Sequence, residues 1–313
     1  MYNPKYTFLL PAYKGRFLDE MLQSIHGQTY TNYKVIISDD CSPEDLRSIC
    51  EPYLSDPRFC YRRNEENMGS KSLVSHWNLL VDMCDTEFLI MASDDDVYEP
   101  QFLEEIDKLT VKYPNVDLFR ARPNDINHLG EIIKTEGLSE ELLSHEAFTL
   151  RLYDTNAVGG EAAYCYRRKV LSEKGSFVDF PLAWFSDDAT NIMMSVGGCA
   201  VTKEALFNFR RTDLQITSQW GDSIDCTKKV KATLLFYNWM NTFLANRPAI
   251  HKDSEIVRCF HRKVYSNIQD YIYHCPPAIF LSYLYDCPND IGLSKFRMFL
   301  HYMRSLYIKT KRG

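Results

Sequence analysis

The chain predicts an α/β fold, a mostly parallel sheet with helices on both faces, followed by a C-terminal helical extension. Three observations carry that expectation. Short apolar runs alternate with amphipathic stretches through residues 1–120. Pro11 to Tyr13, Asp39-Asp40 and Asp94 to Asp96 each fall directly after one of those runs. From Asp225 onward the text turns helical and aromatic-rich. Alternating strands and helices imply parallel crossovers, and ligands of such sheets bind beyond the carboxyl ends of the strands.

Tyr6 to Leu10 reads as a buried strand that stops at Pro11, and Leu18, Met21, Leu22 and Ile25 then recur at helical spacing. Tyr33 to Ser38 is the second strand, ending in Asp39-Asp40. Ser42-Pro43 has the form of a helix cap followed by a first-turn proline, with Asp45 in the first turn of a helix to about Leu54. Arg58 to Tyr61 is a short third strand, and Val74, Trp77, Val81 and Cys84 mark a third helix. Glu87 to Ala92 is a fourth strand running into the three aspartates; Phe102, Leu103, Ile106 and Leu109 form a fourth helix and Val116 to Phe119 a fifth strand.

From 121 to 210 the pattern is irregular, with a strand at Ala163 to Tyr166 and a helix around Ala189 to Val196. Beyond Asp225, breaks at Pro248, Pro276-Pro277 and Pro288 predict three or four helices.

The 313 residues are 45% hydrophobic and 25% charged, which excludes a disordered or low-complexity chain. No run of about 18 apolar residues occurs and the N-terminal apolar stretch is too short for a signal peptide, so a cytoplasmic location is expected. The ten cysteines lie no closer than nine residues apart, which excludes C-x-x-C metal or thiol-exchange motifs and predicts reduced, mostly buried thiols. Residues 1–205 carry 20 basic and 34 acidic side chains, whereas 206–313 carry 16 and 8. The overall charge of −6 argues against general nucleic-acid binding, while the basic C-terminal part suits an anionic partner.

Three successive carboxylates at a strand end repel one another. Either they form a solvated acidic turn, or they hold a divalent cation, Mn²⁺ or Mg²⁺, that bridges phosphate oxygens. Asp39-Asp40 could accept from a nucleobase or ribose, or cap the helix that follows. Asp187-Asp188 heads a helix after the aromatic segment Phe180 to Phe185, as a dipole partner or as a general base in a partly apolar pocket. No G-x-G-x-x-G or G-x-x-x-x-G-K-[ST] is present, so no glycine loop of either kind holds phosphates.

The blocks LLPAY (9–13), VIISDDCS (35–42), ENMG (66–69) and FLIMASDDD (88–96) together resemble the nucleotide-sugar-binding half of family-two glycosyltransferases of the GT-A fold. The resemblance is strong over 100 residues, continues weakly to about 218, and implies the following assignments. Pro11, Ala12, Tyr13 and Asp40 contact base and ribose. Asp94, Asp95 and Asp96 stand at the metal-binding D-x-D motif, with Asp95 and Asp96 as ligands and Asp94 and Asp95 towards the nucleotide. Asn67 and Gly69 match the family's N-x-G turn, and Lys71 is within reach of a phosphate or a plain surface lysine. Asp188 aligns with the general base. Arg210 and Arg211, followed by Thr212 and Ser218, resemble an arginine-to-serine loop over the diphosphate, although Asp213 and Leu214 replace the family's histidine region. The implied domains are 1–220, with a nucleotide-sugar half to 120 and an acceptor half beyond it, and a helical region 221–313.

The implied reaction is an inverting, single-addition transfer from a nucleotide-sugar donor, most often of uridine, to a glycan or lipid-linked saccharide acceptor. The Q-x-x-R-W block of processive synthases is missing. A sugar nucleotidyltransferase would open with a glycine-rich, arginine-containing turn, and PAYKGRF has one glycine there. A non-catalytic nucleotide- or glycan-binding module would not need all three acidic clusters. Trp184, Trp220, Tyr237 and Trp239 could stack on sugars or fill the core. In the last helix, Phe296, Phe299, Leu300, Met303, Leu306 and Tyr307 share one face amid Lys295, Arg297, Arg304, Lys309, Lys311 and Arg312. That face either packs on the body or contacts an anionic membrane or lipid diphosphate. Oligomerisation through the C-terminal helices stays open.

Overall fold

The computed structural model describes residues 3–153, 159–212, 222–247 and 254–312. The chain divides into two compact units, Met1–Asp179 with Thr190–Thr212, and Phe180–Ala189 with Asp213–Gly313. The boundary expected near 220 lies outside the described residues. The elements run β1 (Tyr6–Ala12), α1 (Leu18–His26), β2 (Tyr33–Asp39), α2 (Leu46–Cys50), β3 (Phe59–Arg63), α3 (Gly69–Met83), β4 (Phe88–Met91), β5 (Val97–Tyr98) and α4 (Phe102–Lys112). They continue with β6 (Leu118–Ile126), β7 (Ile132–Thr135), β8 (Leu142–Leu143), α5 (His145–Leu152), β9 (Tyr164–Arg167), α6 (Arg168–Glu173), α7 (Ser186–Met194) and β10 (Cys199–Arg210). Four helices follow among the described residues: α8 (Ser223–Ala245), α9 (Glu255–Ile272), α10 (Pro277–Asp286) and α11 (Lys295–Arg312).

In the first unit the sheet order is β3-β2-β1-β4-β9-β6-β10-β5. β3, β2, β1 and β4 pair in parallel, β9 lies antiparallel between β4 and β6, and β6 pairs in parallel with β10. The long strands therefore share one direction, and the carboxyl ends of β2 and β4 carry Asp39-Asp40 and Asp94 to Asp96. β1 runs through Pro11 rather than stopping there. Its pairing with β4 ends at Leu9 opposite Met91, so the missing proline N–H faces the side where the ladder has finished.

Three local readings are corrected. The second helix is capped by Asp45, whose side chain accepts from the Ser48 amide, and it starts at Leu46. Ser42 turns back instead, donating its hydroxyl to the Tyr13 carbonyl at 2.6 Å. β6 extends to Ile126 because its polar side chains are satisfied internally: Arg120 forks onto Glu136, and Asn124 donates to Asn208 at 2.8 Å. β10 escaped the sequence pattern because Thr202, Lys203 and Glu204 sit at register shifts that interrupt its apolar alternation.

β10 is entered through Gly198 at φ +100°, where an added Cβ would stand 2.9 Å from the Leu143 carbonyl oxygen. Gly198→Ala is expected to cost about 1–3 kcal/mol in urea unfolding, since both the left-handed backbone and the close approach forbid a side chain.

The second unit is an aromatic helical cluster. Phe236 stacks on Phe185 at 4.6 Å between centroids and meets Phe260 edge-on. Trp184 donates to Asn267, Tyr237 to Asp290, and Trp239 stacks on Phe243, so all three serve packing; Trp220 lies outside the described residues. α11 is anchored by Met298 and Tyr302, the latter stacked on Phe280 at 3.7 Å. Phe296, Phe299, Leu300, Met303 and Tyr307 are exposed, while Leu306 on the same face is half-buried. No helix among the described residues is long and apolar enough to cross a membrane. All ten cysteines are free, most of them buried.

Candidate active site

The carboxyl ends of β1 and β2 are joined by a buried polar clamp. The Asp40 amide donates to the Ala12 carbonyl at 2.8 Å, while its carboxylate accepts from the Met68 and Gly69 amides at 2.9 and 2.7 Å and from Asn64 at 2.9 Å. Asp39 accepts from the Ser42 amide, Tyr61 and Arg63. Between the two acids and Ser42, Cys41 takes φ +54°, a strained conformation for a residue with a side chain. Gly69 suits the clamp, because a Cβ there would lie 3.0 Å from Asp40 Oδ2 and push that carboxylate oxygen back.

Asn67 caps the turn by accepting from the Ser70 amide at 2.8 Å. α3 then breaks at Ser72, whose hydroxyl donates to Asp179. Lys71 is exposed and paired with Glu66 at 2.7 Å. Pro11 is half-buried, Ala12 is buried and Tyr13 is exposed beside this clamp. Asp40→Ala strands two part-buried amides and the buried Asn64 side chain, so a stability loss of about 1–3 kcal/mol is expected in urea unfolding.

Behind the clamp sits a residue that sequence reading passed over. His76 is fully buried on α3, with Nε2 2.9 Å from Ser38 Oγ and 3.2 Å from Asn64 Nδ2. Burial lowers its basicity, against the opposing pull of the Asp40 carboxylate 3.7 Å from Nδ1. The available signal was the spacing of His76 with Leu80, four residues on along the buried face.

At the end of β4 the three aspartates are each held differently. Asp94 Oδ2 accepts from the Tyr13 and Lys14 amides at 2.9 and 2.7 Å, tying this loop to the end of β1. Asp96 is buried and accepts from the Ser93 hydroxyl and from the Arg210 amide at 2.9 Å. The half-buried Asp95 lies between them, with Lys14 and Arg210 nearby to offset its charge. Burial, then mutual repulsion, pushes the Asp94 carboxyl up to about 6, and Asp96 rises for the same two reasons. Such a donor set suits a divalent cation that takes one or two carboxylates and completes its shell with phosphate and water. Among the described residues no cluster of three metal-binding side chains exists to enclose a metal on its own.

The two arginines expected over a diphosphate are engaged inside the first unit. Arg210 is buried, with Nε donating to the Asp95 carbonyl at 2.8 Å, Nη2 on Glu20 at 2.7 Å and its guanidinium over Phe17 at 4.3 Å. It positions the aspartate loop. Arg211 forks onto Asp125 at 2.9 and 3.2 Å, a pairing it must exchange to reach a phosphate. Ser218, Asp213 and Leu214 lie outside the described residues.

In the second unit, Asp187 and Asp188 open α7 after a strained approach. Leu182, Ala183 and Phe185 all have positive φ, a strained conformation for residues with side chains, and of the three only Phe185 is buried. The Phe185 ring is clamped on Phe236, and Lys229 lies 4.7 Å from the ring centroids of both Trp184 and Tyr271. Asp187 Oδ1 accepts from the Asp188 amide at 2.9 Å. Burial, then the Asp187 charge, pushes the Asp188 carboxyl up to about 7, against the opposing pull of Lys263. That is the range a general base needs near neutrality.

The glycosyl transferase family 2 profile matches residues 7–174. An uncharacterized glycosyltransferase of Haemophilus influenzae is 25% identical over 171 residues, 54% of this chain and 55% of the relative. WcaA of Escherichia coli, a putative colanic acid biosynthesis glycosyl transferase, is 28% identical over 163 residues, 51% and 56% of the two chains. The chain thus spans about half the length of the curated relatives it matches. In fold it is similar to Staphylococcus aureus TarS 1–349 in complex with UDP-GlcNAc, with TM-score 0.59 at 14% identity over 88% of this chain and 82% of that one. It is also similar to the mannosyltransferase PcManGT of Pyrobaculum calidifontis in complex with GDP-Man and Mn²⁺, with TM-score 0.56 at 13% identity over 98% and 81%. With the profile covering more than half of its residues, the chain belongs to glycosyl transferase family 2, in the GT-A fold.

Proposed function

We propose that the protein transfers a sugar from a nucleotide diphosphate, a UDP-sugar in the first instance, to a hydroxyl of a glycan or lipid-linked saccharide, with inversion, in bacterial surface polysaccharide assembly. The carrying observation is the meeting of Asp40, Tyr13 and Asp94 to Asp96 at the carboxyl ends of β1, β2 and β4, where three crowded carboxylates call for a cation and its diphosphate. Family membership supports the transferase reading, and the UDP-GlcNAc and GDP-Man bound by TarS and PcManGT support a nucleotide-sugar donor. WcaA, named for colanic acid biosynthesis, supports the polysaccharide setting.

Pro11, Ala12 and Tyr13 take the base and ribose, while Asp40 shapes their floor by holding the turn around Asn67 and Gly69. Asp94 orients the Tyr13–Lys14 backbone towards the nucleotide. Asp95 and Asp96 would hold Mn²⁺ or Mg²⁺, which when bound would offset the negative charge of a leaving diphosphate. Asp188 accepts the proton of the acceptor hydroxyl; that oxygen bonds to the anomeric carbon from the face opposite the nucleotide as the bond to the diphosphate breaks. Arg211 and Lys71, released from Asp125 and Glu66, add positive charge at the phosphates.

Calorimetric titration with UDP, GDP, CDP and dTDP, with and without Mn²⁺, tests the donor site. Metal-dependent preference for one nucleotide is expected; absence of metal-dependent binding to all of them would move the protein to the non-catalytic binding class.

A further inference from the structure

We propose that α11 is a membrane-docking helix that lays its exposed apolar face on an anionic bilayer. Phe296, Leu300 and Met303 are 71%, 51% and 49% exposed, and Phe299 lies open beside them. At 3.6 residues per turn these four cover roughly 100° of the helix, the width of an interfacial stripe. The opposite side carries Met298 and Tyr302, which hold the helix to α10 through Phe280 and to the Cys275 carbonyl. Anchoring thus uses one side and leaves the apolar one open to solvent.

The charge pattern selects the occupant. Arg297 and Arg304 lie seven residues apart along one edge of the stripe, and the sequence of α11 has no acidic residue. Arg297 and Arg304 are exposed and form no ion pair among the described residues. Long basic side chains at the rim of an apolar stripe reach headgroup phosphates while their stems stay in the acyl boundary. A second copy fits poorly, because an isologous contact through this stripe would bring two basic edges together with no carboxylate on either helix to neutralise them. At the start of the helix Lys295 Nζ donates to the carbonyl of Tyr285, whose side chain is also exposed.

The test is flotation of the full chain with vesicles of phosphatidylcholine alone or mixed equally with phosphatidylglycerol, at low and high salt. Binding is expected only with the anionic lipid and should weaken with salt. Phe296→Ser with Leu300→Ser, and separately Arg297→Gln with Arg304→Gln, should each reduce partitioning, the charge pair by about 30-fold. All four residues are exposed, so unfolding temperature and nucleotide binding should not change in either variant, which separates this result from failure of the transferase reading. Absence of flotation with anionic vesicles at low salt overturns the proposal, as does flotation that neither variant pair reduces. A dimer in light scattering that the Phe296→Ser, Leu300→Ser pair dissociates, in a protein that does not float, overturns it in favour of a second copy.

Discussion

Asp188→Asn is expected to reduce turnover by about 10³-fold while leaving nucleotide affinity nearly unchanged, because the amide keeps the shape of the side chain but cannot accept a proton. The wild-type pH profile provides a second readout. Burial and Asp187 raise the Asp188 carboxyl to about 7, so below that pH it is protonated and inactive as a base. Activity should therefore climb about tenfold per pH unit on the acid side and level off above neutrality. Lys263 opposes the shift with its positive charge; Lys263→Met should move the rising limb to higher pH. An acid limb unmoved by this change would remove Asp188 from the role of base.

Asp96→Asn is expected to produce the complementary loss. Partners in the outer shell of metal sites are worth about 10–100-fold in affinity, so a direct ligand should be worth at least about 100-fold in metal-dependent nucleotide binding. The asparagine oxygen can still accept from the Arg210 amide, so the fold should hold. Asp96→Ala removes that acceptor and should in addition lower stability by about 1–3 kcal/mol, read in urea unfolding. Calorimetry on Asp96→Asn and Asp188→Asn side by side is decisive: equal loss of metal-dependent affinity in both sinks the division of roles.

The contrast between those two residues reflects what could be read before the fold was known. The first, second and fourth strands were legible to within one or two residues at their carboxyl ends, because apolar runs and the polar residues that follow them are local properties, although β1 continues through Pro11 to Ala12. β10 and the second half of β6 were not, since their buried polar side chains are tolerated only through partners far away in sequence, Asn124 with Asn208 and Arg120 with Glu136. The same long-range pairing hid His76, whose contacts to Ser38 and Asn64 make a polar residue acceptable in the core.

The sequence by itself determined the alternation of β1 to β4 with the helices between them, the gathering of Asp40 and Asp94 to Asp96 at one edge of the sheet, and a C-terminal helix with an apolar and a basic side. Periodicity, turn chemistry and charge spacing are written within a few residues of each position. Only the tertiary structure decided how those groups are used: Asp40 holds the Met68 and Gly69 amides, Arg210 braces the aspartate loop, Arg211 pairs with Asp125, Asp188 is raised by burial, and Phe296 is left open to solvent. Partners, desolvation and exposure are set by segments brought together across long stretches of chain, and no local pattern encodes them.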